Sequence, residues 1–203
     1  MGDRVVVAGA SGFIGRYLIE AFRSDSLEVS TIGRAGSDAS WEDPESIRRV
    51  VDGADLIVNL AGRSVNCRYG AANRAEIMES RVDTTRMLRE AVAAASEPPP
   101  LWINSSTATI YRHAEDREMT ESRGELGEGF SVSVARAWEN EFFEGELPRT
   151  RRVALRMAIV LGDGSALTPL VRLARFGLGG PQLDGRWFST SARRTAGTFH
   201  EFG

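Results

Sequence analysis

The chain has 203 residues, of which 42% are hydrophobic and 26% charged, and its formal net charge is −3 at pH 7. This balance predicts a soluble globular protein with a sizeable core and gives no reason to expect nucleic acid or a membrane surface as a partner. The single cysteine, Cys67, excludes an internal disulfide and favours a reducing compartment. No apolar run approaches the length of a membrane span, and the chain enters a strand without a signal-like segment. We therefore predict a cytoplasmic protein and leave its oligomeric state and small-molecule substrate open.

Strand-like and helix-like segments alternate along the chain. The candidate strands are residues 4–10, 28–34, 55–62, 98–106 and 151–162. The candidate helices are residues 11–23, 44–53, 73–95 and 130–143. Such alternation predicts an α/β, Rossmann-like fold, in which a doubly wound parallel sheet carries helices on both faces.

The first strand–helix junction, VVVAGASGFIG, contains three glycines. Gly9, Gly12 and Gly15 suit a tight turn, the approach of a pyrophosphate to the backbone, and close contact between helix and strand. The free N–H groups and positive dipole end of the helix would then face the phosphates. We predict that this loop binds a dinucleotide, and the alternative is a glycine turn with a structural role alone. The intervening loop residues assigned to the cofactor are Ser11, Phe13 and Ile14.

The end of the second strand indicates which dinucleotide is bound. NAD-specific proteins usually place Asp or Glu there, where it holds the ribose hydroxyls. This chain has Gly33 and Arg34 instead, and a guanidinium suits a 2′-phosphate through paired charge-assisted hydrogen bonds. The sequence therefore favours NADP(H) over NAD(H), although Arg34 could also be an ordinary solvated surface arginine.

A family resemblance emerges from several motifs taken together. GASGFIG, DLIVNLAG, SSTATIY and LRMAIVLG occur in this order, and the chain resembles the extended short-chain dehydrogenase/reductase superfamily. SWEDPESI, NLAG, SRVDTT, the WE pair and RFGLGGP further resemble an atypical branch of the NAD(P)-dependent epimerase/dehydratase family. Eukaryotic members of that branch bind NADP(H), and its bacterial members are described as sugar-nucleotide epimerases. The resemblance extends from Val5 to about Pro181.

Members of this branch are usually longer and have a C-terminal portion that covers the substrate. The resemblance therefore implies that residues 1–181 form an NADP(H)-binding Rossmann domain. Residues 182–203 would begin a truncated or divergent substrate-binding portion, because QLDGRWFSTSARRTAGTFHEFG departs from the pattern of the branch.

The resemblance also assigns cofactor contacts beyond the glycine loop. Leu60 and Ala61, in the small LAG turn, would lie against the nucleotide. Arg81 would contact NADP with Glu76 beside it, and the alternative is a surface pair of little consequence. Val160 would line the nicotinamide side, or it is simply a core valine of a strand.

Catalysis is where this sequence departs from the superfamily. SSTATIY places Thr107 at the catalytic hydroxyl position, where it would hydrogen-bond a substrate carbonyl or alcohol. Alternatively, the hydroxyls of this segment only satisfy a strand end. Counting back from Glu139, the usual Tyr and Lys positions fall on Ser131 and Ala135, and neither residue can replace a phenol beside an ammonium group.

Two functions therefore stay open from the sequence. One is an atypical oxidoreductase or epimerase that acts on an unidentified sugar-nucleotide or carbonyl substrate, with Thr107 as the surviving polar group and an unidentified acid. Tyr111 and His113 are nearby groups that could stand in for that acid, although a packed tyrosine and a solvated histidine are the more usual roles. The other is a protein that binds or senses NADP(H) without catalysis. The absent Tyr–Lys pair and the missing substrate walls predict that the 203-residue chain binds cofactor but has little redox activity.

Overall fold

The computed structural model describes residues 3–34, 36–160, 175–176 and the backbone of 190–191. The strands are β1 Arg4–Ala8, β2 Glu28–Gly33, β3 Ala39–Ser40, β4 Leu56–Asn59, β5 Leu101–Thr107, β6 Arg151–Met157, β7 Ile159–Val160 and β8 Thr190–Ser191. The helices are α1 Phe13–Ser24, α2 Pro44–Val51, α3 Ala71–Ala94 and α4 Phe130–Phe143, and a short 3₁₀ turn covers Ala108–Ile110. The prediction of alternating strands and helices is confirmed.

Six of these strands form a parallel sheet in the order β3-β2-β1-β4-β5-β6. The chain leaves β1 toward β2 but leaves β4 toward β5, so the winding direction reverses between β1 and β4. Right-handed crossovers then place α1 on one face and α2, α3 and α4 on the other, where α3 contacts both α2 and α4. This is the doubly wound, Rossmann-like arrangement that the sequence predicted, and ligands of such sheets bind where the winding reverses, at the carboxyl ends of the strands.

Burial along the strands explains why this sheet forms. Val5 to Ala8 of β1 are all buried, and Ile57 and Val58 of β4 continue the same layer. Near-continuous apolar strands of this kind are typical of parallel sheets that are covered on both faces. The sheet core therefore fixes the ends of β1 and β4 side by side, where the glycine loop and the LAG turn begin.

An aromatic pair anchors α4 to the sheet. Trp102 of β5 and Phe142 of α4 are fully buried and meet edge to face, with ring centroids 4.8 Å apart. Such a pair contributes about 0.5–1.5 kcal/mol beyond the burial of its area. It holds the C-terminal half of α4 against β5, so that the first turn of α4 projects toward the carboxyl edge of the sheet.

Three short elements were not predicted from the sequence, namely β3, the 3₁₀ turn and β8. The predicted domain boundary at residue 181 and most of the predicted C-terminal portion lie outside the described residues. Within the described part of the chain, none of the helices is both long and apolar enough to cross a membrane.

Candidate functional site

The three glycines of the first loop have distinct structural roles. Gly9 has a φ of +81°, and a side chain there would come within 2.7 Å of the Leu60 carbonyl group. A side chain at Gly15 would come within 2.5 Å of the Gly9 oxygen. Gly12 has an ordinary φ of −70° and only a 3.3 Å approach to Gly9. Gly9 and Gly15 are therefore required by the fold itself, whereas Gly12 leaves space on the side where a ligand would lie.

Gly12 is also the N-cap residue of α1, and no side chain caps this helix. Its own N–H donates to the Gly9 oxygen at 3.1 Å, which closes the loop. The N–H groups of the first helical turn have no partner within the helix, and they point along the helix axis. Residues Phe13 and Ile14 thus present backbone donors to a phosphate group, as helix N-termini do in dinucleotide-binding folds.

The loop forms one wall of a cleft of about 960 Å³ at the carboxyl ends of the strands. The end of β2, the turn after β4 and one side of α3 form the other walls. The predicted cofactor residues that line the cleft are Gly9, Ser11, Gly12, Gly33, Arg34, Leu60, Ala61 and Glu76. Phe13, Ile14 and Gly15 lie behind the loop in α1, and Arg81, Thr107 and Val160 lie outside the cleft walls.

At the β2 end of the cleft, the exposed Arg34 side chain follows Gly33. A side chain at Gly33 would come within 2.5 Å of the Ser37 hydroxyl, so the glycine makes room for Ser37 at the cleft wall. The nearest acid, Asp38, accepts hydrogen bonds from the Thr31 hydroxyl and backbone N–H, both at 2.7 Å. These bonds lower the pKa of Asp38 and turn its carboxylate toward β2. A guanidinium and a hydroxyl, rather than a carboxylate, therefore stand at this end of the cleft.

A buried amide network holds the turn after β4. The Asn59 side-chain oxygen accepts the Ala61 N–H at 3.0 Å, and its amide donates to Asn104 at 2.7 Å and to Thr85 at 3.2 Å. The Trp138 indole N–H also donates to the Thr85 hydroxyl, at 2.9 Å. The turn against which a nucleotide would lie is thereby tied to β5, α3 and α4.

The structure separates the predicted neighbours Glu76 and Arg81. Glu76 forms an ion pair with Arg63 at the cleft wall. The Arg81 guanidinium lies 5.2 Å from the ring centroid of Trp138, and it donates to the Ile77 carbonyl at 2.9 Å. Burial lowers the pKa of Arg81. Arg81 consequently faces α4, whereas Glu76 is paired with Arg63.

Thr107 caps the 3₁₀ turn that follows β5. Its hydroxyl accepts the Thr109 N–H at 3.2 Å and lies 3.0 Å from the Thr109 hydroxyl. Its neighbour Ser106 is buried and donates to Glu139 at 2.5 Å. Both hydroxyls thus satisfy the end of the strand, which is the structural role that the sequence left open beside the catalytic one.

The positions of the usual catalytic pair lie on the first turns of α4. Ser131 is exposed and Ala135 is fully buried. Of the two substitutes considered from the sequence, Tyr111 accepts a hydrogen bond from Arg156 at 2.7 Å, and its ring lies against the loop at Gly124. His113 is 80% exposed and lies beside Glu115. Neither contact directs these side chains toward the cleft.

Ser37, Trp41 and Arg63 are among the cleft-lining residues that sequence reasoning missed. Trp41 had a usable signal, because it is an aromatic residue directly after a strand at the carboxyl edge. Ser37 and Arg63 had none, since a serine and an arginine in polar loops carry no distinguishing pattern.

A parallel sheet that reverses its winding beside a glycine loop and an open cleft defines a dinucleotide-binding protein of the Rossmann class. Residues 5–133 match the NAD dependent epimerase/dehydratase family, and the chain belongs to this family. The resemblance recognised in the sequence is confirmed.

Individual relatives agree with this assignment. The epimerase family protein SDR39U1 of Bos taurus is 33% identical over 193 residues, which cover 91% of this chain and 64% of that protein. The YfhF epimerase family protein of Bacillus subtilis is 26% identical, with the same two coverages. The chain thus spans 64% of the length of these curated relatives.

Solved structures share the fold. A crystal structure of human SDR39U1 (isoform 2) with NADPH superposes with a TM-score of 0.83 at 28% identity, covering 93% of this chain and 65% of that one. A nucleoside-diphosphate sugar epimerase from Corynebacterium glutamicum gives a TM-score of 0.76 at 28% identity, covering 95% of this chain and 41% of that one.

Proposed function

We propose that this protein is an NADP(H)-dependent oxidoreductase of the epimerase family, acting on a sugar-nucleotide or carbonyl substrate. One observation carries the proposal: a single cleft joins the N-terminus of α1, which no side chain caps at Gly12, to the exposed guanidinium of Arg34. We place the cofactor-binding domain in residues 1–181 and the start of the substrate-binding portion in residues 182–203.

The cleft residues fit an NADP(H) molecule from its adenosine end to its pyrophosphate. The Gly12 position and the backbone donors of the first turn of α1 would hold the pyrophosphate. Arg34 and the Ser37 hydroxyl would hold a 2′-phosphate, because a guanidinium and a hydroxyl both donate to phosphate oxygens. The neighbouring acid, Asp38, is held by hydrogen bonds from Thr31 and does not line this cleft. The NADPH present in the human relative's structure supports the same preference.

Bound NADP(H) would supply hydride transfer. The chain's own residues would orient the nucleotide, and they would hold the turn at Ala61 in place through the Asn59 network. A sugar-nucleotide substrate is supported by the family and by the relative from Corynebacterium glutamicum.

A non-catalytic NADP(H)-binding protein is the second candidate. It is favoured by Ser131 and Ala135, which remove the usual phenol and ammonium groups from α4. The two candidates share the cofactor site and differ in whether the chain turns over a substrate.

Titration of the purified chain with NADPH and with NADH, followed by nicotinamide fluorescence, tests the cofactor assignment. We expect NADPH to bind at least about tenfold more tightly, which corresponds to about 1.4 kcal/mol. Equal affinities would refute the NADP(H) preference. A screen for NADPH oxidation with carbonyl compounds and nucleotide sugars then separates the enzyme from the non-catalytic candidate.

A further inference from the structure

The beginning of α4 lacks the phenol and the ammonium group that the superfamily usually carries there, and a neighbouring element can supply similar groups. Ser131 and Ala135 carry no group that donates a proton to a substrate oxygen and no cation. Side chains of α3 and of the loop before it meet α4: Tyr69 and Arg74 contact the Phe130 ring, and Arg81 lies over Trp138. This neighbourhood therefore brings a phenol and cations to α4.

Arg81 brings a cation to α4 from α3. Its guanidinium lies over Trp138, which is one helical turn beyond Ala135 on α4. Gly62 makes this position possible, since a side chain there would come within 3.0 Å of the guanidinium carbon. Within residues 3–34 and 36–160, no carboxylate pairs with Arg81, which donates a hydrogen bond to the Ile77 carbonyl. A partly buried cation without a carboxylate partner favours the appearance of negative charge beside it.

Tyr69 brings a phenol to the first turn of α4, about two helical turns before Trp138. Its ring packs on Phe130, the residue directly before Ser131, with centroids 5.6 Å apart. Burial lowers the pKa of Arg81, and the nearby Tyr69 phenol acts in the opposite direction. Tyr69 is 49% exposed, so its hydroxyl is accessible to a ligand.

We propose that Tyr69 and Arg81 form a phenol–guanidinium pair that takes the place of the missing Tyr and Lys of α4, with Tyr69 as the proton donor to the substrate oxygen. Phe130 and Trp138 hold the two side chains against the turns of α4 that carry Ser131 and Ala135. This inference rests on the proposed NADP(H)-dependent function.

The proton transfer balances with NADPH as the reductant. Bound NADPH would supply hydride to the substrate carbonyl carbon, and the carbonyl oxygen would take the Tyr69 proton as the phenol O–H bond breaks. The substrate leaves as an alcohol, and NADP⁺ remains. Arg81 stabilises the phenolate, which then takes a proton from water. The reverse sequence oxidises an alcohol.

The pair can be tested without a known substrate by carbon-13 labelling of the tyrosine ring carbon that bears the hydroxyl. The chain has three tyrosines, and the Tyr69 and Tyr111 signals can be assigned from the Tyr69→Phe and Tyr111→Phe variants. Adding NADP⁺ to saturation should shift the Tyr69 signal and leave that of Tyr111 in place. In Arg81→Met, which keeps the side-chain length but removes the charge, the Tyr69 response should shrink or vanish.

Each outcome of this experiment decides something. If NADP⁺ does not bind, both the proposed function and the Tyr69–Arg81 pair are wrong. If it binds but leaves the Tyr69 signal unmoved, the cofactor assignment stands and the pair is wrong. Thermal melting of Tyr69→Phe should match that of the wild type, because phenylalanine preserves the ring contact with Phe130.

A kinetic arm then tests the proton-donor role. With any carbonyl substrate found in the screen, Tyr69→Phe should lower kcat by about 10²- to 10⁴-fold. Its NADPH affinity should stay within about twofold of the wild type, a difference of about 0.4 kcal/mol. The matched variant Tyr111→Phe should keep the wild-type kcat. An unchanged kcat in Tyr69→Phe overturns the proposal, and so does a wild-type chain that binds NADPH without turning over any substrate.

Discussion

The Arg156 guanidinium on β6 holds the Glu139 carboxylate on α4 through two hydrogen bonds, 2.9 Å from Nε to Oε1 and 2.7 Å from Nη2 to Oε2. The Ser106 hydroxyl donates to the same carboxylate, and Arg156 also donates to the Tyr111 phenol. Burial alone would raise the pKa of Glu139, but the bonds from Arg156 and Ser106 outweigh it and hold that pKa below its ordinary value. This cluster ties α4 to the ends of β5 and β6.

Replacing Glu139 with Gln should lower the free energy of unfolding by about 2–3 kcal/mol at neutral pH, because Arg156 would lose its counter-charge in a largely buried site. The pKa of Glu139 is lower in the folded chain than in the unfolded chain. Its contribution to stability is therefore complete above the unfolded value, and it is lost as pH falls through the folded value. Urea unfolding at neutral pH and near pH 4 should show the difference from wild type narrowing at the lower pH.

An exposed glutamate provides the control for this measurement. Glu121→Gln makes the same chemical change at an exposed position and should leave the free energy of unfolding within about 0.5 kcal/mol of the wild type. A Glu139→Gln penalty of the same size at both pH values would contradict the assigned role of the carboxylate.

The Asn59 network gives a second prediction, for the turn at the cleft. Asn59→Leu would leave the Ala61 N–H and the Asn104 side-chain oxygen buried without their partner. Buried groups left unsatisfied cost about 1–3 kcal/mol each, so we expect the unfolding free energy to fall by about 2–4 kcal/mol. Chemical denaturation measures this loss. Asn140→Leu, at an exposed position of α4, should be close to neutral, and a neutral Asn59→Leu would contradict the network.

The strands and helices were predictable because the sequence patterns that indicate them involve only neighbouring residues. The buried run Val5–Ala8 and the helical spacing of α1 and α4 each depend on neighbouring residues alone, and the structure reproduces these elements within a few residues. The strand β3 was missed because it has only two residues, Ala39 and Ser40, and such a short strand has no periodicity of its own.

In the candidate site, too, local motifs were predictable from the sequence and contacts between distant segments were not. Gly9 and Gly15 were predictable, because their loop requires backbone geometry that a short motif records. The Tyr69–Phe130 contact was not, since it joins a loop to a helix that begins about sixty positions later in the chain. Hydrophobic periodicity does not report which loop residue meets which helix, so Tyr111 was considered as a proton donor and Tyr69 was overlooked.

Substitutions at two glycines of the first loop should separate an effect on NADPH binding from an effect on folding. Gly12 has an ordinary φ and a nearest contact of 3.3 Å, so Gly12→Val should fold while its side chain occupies the pyrophosphate position and abolishes NADPH binding. Gly15→Ala should instead lower stability by about 1–3 kcal/mol, because its methyl group meets the Gly9 oxygen at 2.5 Å. Thermal melting and NADPH titration of both variants measure the two effects. Wild-type NADPH affinity in a folded Gly12→Val would refute the loop assignment.

Arg34→Ala should weaken NADPH binding by roughly 10- to 150-fold, since the loss of a charge-assisted phosphate contact costs about 1.5–3 kcal/mol. NADH has no 2′-phosphate, so its affinity should be nearly unchanged and the preference for NADPH should shrink accordingly. Raising the salt concentration should reduce the wild-type preference in the same direction, because Arg34 is exposed and its charge is screened. Fluorescence titrations with both cofactors measure these effects.

Arg48→Ala, on α2 and outside the cleft lining, controls for the loss of one positive charge. A parallel loss of NADPH and NADH affinity in Arg34→Ala would show that this arginine holds a part of the nucleotide that both cofactors share.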